Sequence, residues 1–549
     1  MRARHREPFD PEPYAGPLAA ILDAIAARPG LEARELDRIL RRHPKDGRGL
    51  FSRSELLAGL RLLRPDQPEL ARGLRLRPVR SLSGVTPVTV LTRPFPCPGR
   101  CVFCPDDRRM PKSYLSAEPG CQRAQQSGFD PYLQTRSRLA ALRAIGHPVD
   151  KVELIVLGGT WSAYPEAYRI WFTSRCLQAL NDFAPEDAMT FAGPTRGSAA
   201  PQSEGEAGWD ALEQAQRRNE TAAAHCVGLA FETRPDHVHA RELRCLRRLG
   251  ATKVQIGIQS LSDEILARNR RGHGVAATRR ALALLRGAGF KIHAHWMPNL
   301  LGATPDGDRA DFARLFRDPE IRPDELKIYP CLLVETAALA QHHRRGEWAP
   351  YPDEVLTELL ADCLADVPPW CRVTRVVRDF SSGDIVAGTR QANLREVAER
   401  RLRRDGRRPR DIRSREIRGG AVPSRPRLEE LRYQTGVGEE CFLQWTSPQG
   451  RLLGFLRLTL PRRAAPLAEL GRSALIREVH VYGAALELGR RGDGAAQHRG
   501  LGRALVARAA ELARGAGHAE LAVISAVGTR PWYRTQGFCD GALYQKKAL

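Results

Sequence analysis

Residues 94–105 read P-F-P-C-P-G-R-C-V-F-C-P, and the role of their three cysteines decides the architecture. Cys97, Cys101 and Cys104 follow the spacing C-x3-C-x2-C, which puts three thiolates on one tight loop with no fourth donor nearby. Thiolates are soft ligands that suit iron–sulfur clusters or zinc. A structural zinc site wants four ligands and closes itself. Three thiolates on a [4Fe–4S] cube leave one iron open, and an open iron can take an amino acid chelate. The alternative is a zinc knuckle completed by a distant His or Cys.

The flanking sequence favours the cluster. Ahead of the loop, S-G-V-T-P-V-T-V-L-T (83–92) is a β-branched strand that delivers the chain to it. Behind it come Lys112, Ser113 and Tyr114, a helix predicted over 132–145, and the apolar strand K-V-E-L-I-V-L, which ends in Gly158, Gly159 and Thr160. The alternation repeats through C-V-G-L-A-F-E-T-R-P-D, T-K-V-Q-I-G-I-Q-S, F-K-I-H-A-H-W-M-P-N and E-L-K-I-Y-P, with helices such as 276–287 between them. Continuous apolar strands separated by helices indicate a parallel sheet buried on both faces. The expectation is a partial β/α barrel over about residues 80–375, with chemistry at the C-terminal ends of its strands. Gly158, Gly159, Glu232, Arg234, Gln255, Gln259 and His295 fall there. Residues 193–216 read as a flexible surface insertion.

With the aromatic Phe103 before its last cysteine, the loop resembles the motif of radical S-adenosylmethionine (SAM) enzymes. That resemblance implies a [4Fe–4S] cluster on Cys97, Cys101 and Cys104, with SAM chelated to the open iron. Gly158, Gly159 and Thr160 would approach the methionyl amino group, since paired glycines let a backbone come close to a ligand. Glu232 and Arg234 would hold ammonium, carboxylate or ribose groups, with Gln255 and Gln259 completing the SAM site.

At 549 residues the chain is long enough for two or three domains, and 42% hydrophobic residues can fill their cores. No stretch reaches the ~18 continuous apolar residues of a membrane span. The first ten residues carry charges without an apolar run behind them, so no signal peptide is expected and the protein reads as cytoplasmic. Its twelve cysteines are then mostly reduced, and clustered ones are metal ligands. A net charge of +23 points to a polyanionic partner, above all nucleic acid. Only eight of the 86 basic residues are lysine, the mark of an arginine-rich coding bias, but that bias does not explain the missing acidic balance.

Residues 1–78 read as short amphipathic helices, one started by a capping box of Ser52 and Glu55. Residues 1–80 hold 17 Lys/Arg against 11 Asp/Glu, a small basic domain that is either a nucleic-acid platform or a helical cap on the barrel. Residues 379–430 form a basic linker, with 14 basic and 7 acidic side chains between 395 and 432. Arginine at that density suits phosphates.

Residues 431–549 alternate strands and turns. There L-I-R-E-V-H-V-Y-G is followed by Q-H-R-G-L-G (497–502), which opens a helix. A glycine-bearing turn at a helix N-terminus can cradle phosphate oxygens. Followed by A-E-L-A-V-I-S and R-P-W-Y-R-T-Q-G-F, it resembles a GNAT-type acyltransferase. The resemblance implies that Glu478, Val479, His480 and Val481 pair with pantetheine. Gln497, Gly500, Leu501, Gly502 and Arg503 would hold the coenzyme A pyrophosphate, and Tyr533 would sit near the thioester. Core packing is the plainer role for Tyr533.

A radical SAM barrel ahead of a GNAT-type domain resembles the catalytic subunit of Elongator and its free-standing archaeal and bacterial relatives, the tRNA uridine acetyltransferases. The strings that carry this resemblance include F-D-P-Y-L-Q-T-R, D-K-V-E-L-I-V-L-G-G-T-W, N-R-R-G-H, V-P-P-W, N-L-R-E and V-G-T-R-P-W-Y. It implies an α/β chain: a helical N-terminal region (1–78), a partial radical SAM barrel (79–378), a basic linker (379–430) and a GNAT-type mixed-sheet domain (431–549). It also implies a reaction in which a SAM-derived radical takes hydrogen from the methyl of acetyl-CoA. That carbon then adds to C5 of the wobble uridine, position 34, and thioester hydrolysis leaves 5-carboxymethyluridine. Lys151 and Tyr533 are the expected catalytic residues, and Lys151 the expected acetyl-CoA contact on the barrel. The expected partners are the tRNA anticodon stem-loop and an external electron donor, with a homodimer left open and no membrane.

Many relatives carry a cysteine cluster in the linker that binds zinc. This chain has Asp411, Ile412, Arg413 and Ser414 there and no cysteine between Cys371 and Cys441, so zinc is not expected and charge pairs or packing should hold the linker. Three other readings compete: a protein lysine acetyltransferase with a structural iron–sulfur cluster, a radical SAM methyl- or methylthiotransferase acting on RNA, and a non-catalytic tRNA scaffold.

Overall fold

The apolar runs around the cysteine loop form one parallel sheet, hydrogen-bonded in sequence order. Its strands are β1 (Thr86–Leu91), β2 (Lys151–Leu157), β3 (His225–Thr233), β4 (Lys253–Gln259), β5 (Lys291–Trp296), β6 (Glu325–Ile328) and β8 (Arg372–Arg375). Helices cross over between successive strands, and β1 and β8 remain as edges, so the sheet is an open half-barrel. Short β7 (Leu333–Val334) pairs with β9 (Ile385–Ala387) outside it. The computed structural model describes residues 9–28, 31–75, 81, 83–184, 206–417, 425–482 and 500–549.

The helices predicted over 132–145 and 276–287 are observed as Pro131–Ala144 and Val275–Gly287. The capping box also forms: Ser52 Oγ accepts from the Glu55 amide, and the Glu55 carboxylate accepts from the Ser52 amide at 2.6 Å. The N-terminal helices bury their own core of Leu18, Ile21, Leu22, Leu56 and Leu57. They lean on the barrel through Arg75, which donates to the Gly146 carbonyl.

Two expectations need correction. Residues 193–216 are not all a flexible insertion, because Glu206–Asn219 is an α-helix. Its Trp209 and Leu212 are buried and join the barrel core beside the helix Glu166–Asn181. The Gly, Pro and Ser of 193–205 hide this periodicity, and those positions lie outside the described residues. The stretch 379–430 is likewise more than a linker. It contributes β9 and a helix, Leu394–Arg404, whose Leu394, Ala398 and Leu402 are buried in the barrel core. Asp411 is fully buried: it pairs with Arg395 at 3.1 Å, accepts from the Val373 amide and caps the turn at Ser414.

The second sheet runs β10 (Arg427–Gln434), β11 (Gly438–Thr446), β12 (Leu452–Pro461) and β13 (Ala474–Val481) as an antiparallel meander. β14 (Glu520–Val523) lies parallel to β13, after the helix Leu501–Gly515. β15 (Cys539–Asp540) and β16 (Gln545–Ala548) close the other edge. A bulge at Arg477 shifts the β12–β13 register, since Ile476 faces Leu458 while Glu478 faces Arg457. Bulges re-aim side chains, and here the consecutive Arg477 and Glu478 both turn toward the barrel.

That turn fixes how the two sheets meet. Six parallel strands begin with a charged or titratable residue: Lys151, His225, Lys253, Lys291, Glu325 and Arg372. The second sheet covers this N-terminal rim. Arg477 makes a bidentate pair with the fully buried Asp324 (2.7 and 2.6 Å) and a further bond to Glu440 (2.7 Å). Glu478 receives Lys291 at 2.6 Å and Arg457 at 2.9 Å. Apolar contacts continue the join, with Leu475, Ala522, Ile524 and Tyr544 belonging to the barrel's own core.

Candidate active site

The cysteine loop crosses the C-terminal mouth of the half-barrel. Cys97, Cys101 and Cys104 all line a cavity of about 1190 Å³ that fills the lumen. Arg271 donates to Cys101 Sγ at 3.3 Å and to the Gly257 carbonyl at 2.6 Å, so a residue just after the helix Asp263–Arg268 ties the loop to β4. Cys104 shares a hydrogen bond with Cys101, and with the Arg271 and Arg234 guanidiniums it lowers the Cys101 thiol against its burial, while the same bond and burial raise the Cys104 thiol. Thiolate is the form that ligates metal. Two buried polar atoms at this mouth, Arg234 Nη1 and Gln259 Oε1, have no hydrogen-bond partner among the described residues. Three cysteines beside fixed cations and unpaired polar groups fit an anionic thiolate-bound cluster with a polar chelate.

The strand-end residues named from sequence converge on the same lumen, whose wall includes Gly159, Thr160, Glu232, Arg234, Gln255 and Gln259. Thr160 Oγ1 lies 3.6 Å from Cys97 Sγ. Gly158 has φ +141°, and a Cβ there would run into Thr92 Oγ1, so only glycine lets β2 end in this way. Glu232 accepts from the Tyr114 hydroxyl at 3.0 Å and faces His295 at 3.6 Å. The Gln255 side-chain oxygen Oε1 stands between His295 Nε2 (3.2 Å) and Lys327 Nζ (2.5 Å). Arg234 is largely committed to the fold: it donates to Asp236 at 2.9 and 2.8 Å and to the Arg271 carbonyl at 2.7 Å, which leaves Nη1 for a ligand.

A second cavity, of about 930 Å³, lies between the N-terminal rim of the barrel and β13. β13 and β14 pair only over Ala474–Ile476, with one further bond from the Ile524 amide to the Ile476 carbonyl at 3.2 Å. Beyond that point β13 runs on against β12 alone, and the two strands part. Glu478, Val479, His480 and Tyr533 line the cavity at the split. Val481 packs instead beside Leu501 and Trp445. Tyr533 is buried, and burial followed by the nearby Glu478 charge pushes its phenol up, so it stays protonated at neutral pH. Burial would also raise the Glu478 carboxyl, but Lys291 and Arg457 outweigh it and hold it down. Gly500, at φ +73°, caps the helix Leu501–Gly515, with Leu501 buried and Arg503 exposed in its first turn. Gln497 lies outside the described residues. Lys151 starts β2 at the rim, paired in register with His225, and stands outside the walls of both cavities. Burial lowers its pKa from the usual lysine value.

Sequence reading passed over Arg271, Lys327, His293 and the Asp324–Arg477 pair. One usable signal was the scarcity of lysine: four of the eight, Lys112, Lys253, Lys291 and Lys327, line the two cavities. Burial also holds His293 and His295 well below the usual histidine value and His480 at about 4, so all three are neutral in the fold. Unfolded, they titrate near 6.5. From about pH 6.5 down to about 4 the unfolded chain therefore binds more protons, and each imidazole removes up to ~1.4 kcal/mol of stability per pH unit. Urea midpoints should fall between pH 6.5 and 4.5. A midpoint that rose would show these rings to be charged in the fold.

The exterior carries the excess positive charge. Arg400, Arg403, Arg404, Arg408 and Arg410 are exposed, and no acid among the described residues pairs with them. Their neighbours Arg401 and Arg407 are tied to Asp405 and Asp362. No helix of the described residues is long and apolar enough to cross a membrane.

Comparison with known proteins agrees with this geometry. Residues 95–316 match the radical SAM superfamily, and residues 323–404 match the radical SAM C-terminal domain. The chain is 40% identical to a tRNA uridine(34) acetyltransferase of Dehalococcoides mccartyi, over 86% of this chain and 99% of that one. It is 35% identical to human Elongator complex protein 3, over 87% and 86% of the two chains. The solved structure of the archaeal Methanocaldococcus infernus Elp3, lacking residues 1–46, superposes with a TM-score of 0.71 at 34% identity, covering 85% of this chain and all of that one. With its three-thiolate half-barrel and split-strand second sheet, the chain belongs to the family of tRNA uridine(34) acetyltransferases and Elongator complex protein 3, enzymes of the radical SAM superfamily.

Proposed function

We propose that this protein converts the wobble uridine of tRNA to 5-carboxymethyluridine, using SAM, acetyl-CoA and an external one-electron donor. One observation carries the reading: a three-thiolate loop at one end of the barrel lumen and a parted strand pair at the other, in a single molecule. When bound, a [4Fe–4S] cluster supplies the electron that splits SAM and starts radical chemistry. Cys97, Cys101 and Cys104 would hold it, with Arg271 and Arg234 offsetting its negative charge. Gly158, Gly159, Thr160, Glu232, Gln255, Gln259 and the remaining Arg234 nitrogen would orient SAM.

At the other end, the backbone of residues 478–481 would pair with the pantetheine amides, and the turn at Gly500 to Arg503 would receive the pyrophosphate. The protonated Tyr533 phenol would give its proton to the departing CoA sulfur. Lys151, lying back from the cavity wall, would assist from the rim as a cation. Overall, the acetyl methyl carbon joins uridine C5: one hydrogen atom leaves the methyl to end in 5′-deoxyadenosine, the C5 hydrogen leaves as a proton with its electron returned to the electron carrier, and water releases CoA from the thioester. The exposed arginines after the helix Leu394–Arg404 and those on the helix Ala33–Arg42 would meet tRNA phosphates, so binding should weaken steeply with salt.

The test is nucleoside mass spectrometry of tRNA incubated anaerobically with cluster-loaded protein, SAM, dithionite and acetyl-CoA. Carboxymethyluridine should form at position 34 only when all four are present. Lysine acetylation of a protein substrate without SAM, and no tRNA product, would replace this reading with a protein acetyltransferase.

A further inference from the structure

The two cavities share part of their walls. Pro87 on β1, Glu153 on β2, Glu325 on β6, and Arg372, Thr374 and Arg375 on β8 line both. These residues therefore face the lumen on one side and the space beneath β13 on the other. β2 alone spans roughly 20 Å at ~3.3 Å per residue, so the cysteine loop and the parted strands stand about one strand length apart, with this shared wall between them.

The charges along the shared wall are neutralised in place. Lys253 pairs with Glu325 at 3.1 Å and also with Glu153, Lys291 reaches Glu325 at 3.3 Å, and Arg372 reaches Glu416 at 2.7 Å. Thr374 accepts from His293 Nε2 at 2.9 Å and donates to the Leu326 carbonyl at 3.2 Å. Such a wall attracts neither ion strongly and offers dipoles to a neutral, amide-bearing chain. Hydrogen transfer between carbon atoms needs the reacting atoms within ~3–3.5 Å, which a thioester confined beneath β13 cannot satisfy at the cysteine loop.

We propose that the lower lumen is an acyl passage: the thioester end of acetyl-CoA leaves the split between β13 and β14 and enters the half-barrel past Pro87 and Thr374. The passage rests on the acyl-CoA reading of the second cavity. It makes the shared wall, rather than the outer mouth, the route by which the acetyl methyl meets the radical source. Substrates whose acyl group carries further bulk should be excluded at this neck while still binding at β13.

The test is site-directed alkylation of the full-length, cluster-loaded protein. Chloroacetyl-CoA reacts with a thiolate by losing chloride, which forms an S–CH2 bond and leaves the CoA thioester attached to the cysteine. A Thr374→Cys variant should be labelled at position 374, and the exposed native Cys539 serves as internal control. A bound reagent acts at an effective concentration of order millimolar, so at ~10 µM reagent the new cysteine should react about 100-fold faster than Cys539. Excess acetyl-CoA should slow it. Pro87→Cys, on the opposite edge strand, gives the same readout if the first variant folds poorly. Labelling no faster than Cys539, with acetyl-CoA binding intact by calorimetry, would overturn the passage alone. Loss of acetyl-CoA binding by the unaltered protein would overturn both the passage and the function it rests on.

Discussion

Cys101→Ala protein makes no 5′-deoxyadenosine and no carboxymethyluridine, yet keeps its circular dichroism spectrum and its tRNA affinity. Cys101 is buried in the loop and held toward its thiolate form by Arg271 at 3.3 Å and the Cys104 hydrogen bond. Removing it leaves two sulfur donors, too few to hold three irons of a cube. The loss should exceed the ~10–100-fold that changes in outer hydrogen-bond partners of metal ligands typically cost. Arg271→Met, which leaves all three sulfurs in place, should fall within that ~10–100-fold range. Cluster absorbance and chromatography of the nucleoside product separate the two: the alanine variant loses both signals, whereas the methionine variant keeps the cluster and slows turnover. The fold survives because the loop's packing partners, Leu300, Leu333 and Leu339, are unchanged.

The largest effect on stability is expected at the join between the sheets. Asp324 is fully buried and faces three guanidiniums: Arg477 at 2.6 Å, Arg457 at 3.5 Å and Arg286 at 3.8 Å. Burial raises its carboxyl pKa, but the three arginines outweigh that and hold it below the ordinary carboxylate range. Asp324→Asn removes the one carboxylate that, among the described residues, all three share, and leaves three buried guanidiniums with only Glu440 and Glu478 to offset them. Breaking a buried pair from one side costs about 3–5 kcal/mol, and that is the loss expected in urea unfolding. Replacing whole buried ion pairs with apolar groups is far less costly. A double variant, Asp324→Asn with Arg477→Met, should therefore lose less than the sum of the two single changes. Strict additivity would mean that the contact carries no coupling.

The sequence made much of this molecule legible, and what it hid has physical reasons. The cysteine spacing, the apolar strand runs and the strand-end residues Gly158, Glu232 and Gln255 were readable because each rests on local chemistry: ligand count, burial on both faces, and position at a strand terminus. Gly500 was readable because a helix start after glycine is a local event. The Arg477 bulge was not, because a one-residue slip depends on the partner strand β12. Nor was the role of Asp324, since its partners Arg457 and Arg477 lie on β12 and β13, more than a hundred residues away. The helix Glu206–Asn219 was masked by the polar, glycine-bearing run before it, and only the burial of Trp209 and Leu212 against the barrel reveals its apolar face. Tyr533 could be read either as core or as site, and it proves to be buried and to line the second cavity as well.

The most direct measurement follows deuterium from acetyl-CoA labelled as CD3 into the nucleosides formed with cluster-loaded protein, SAM, dithionite and tRNA. Transfer from the acetyl methyl predicts 5′-deoxyadenosine carrying one deuterium and carboxymethyluridine carrying two. Unlabelled 5′-deoxyadenosine formed beside carboxymethyluridine that keeps both deuterons would contradict it, because the radical source and the thioester would then never have met.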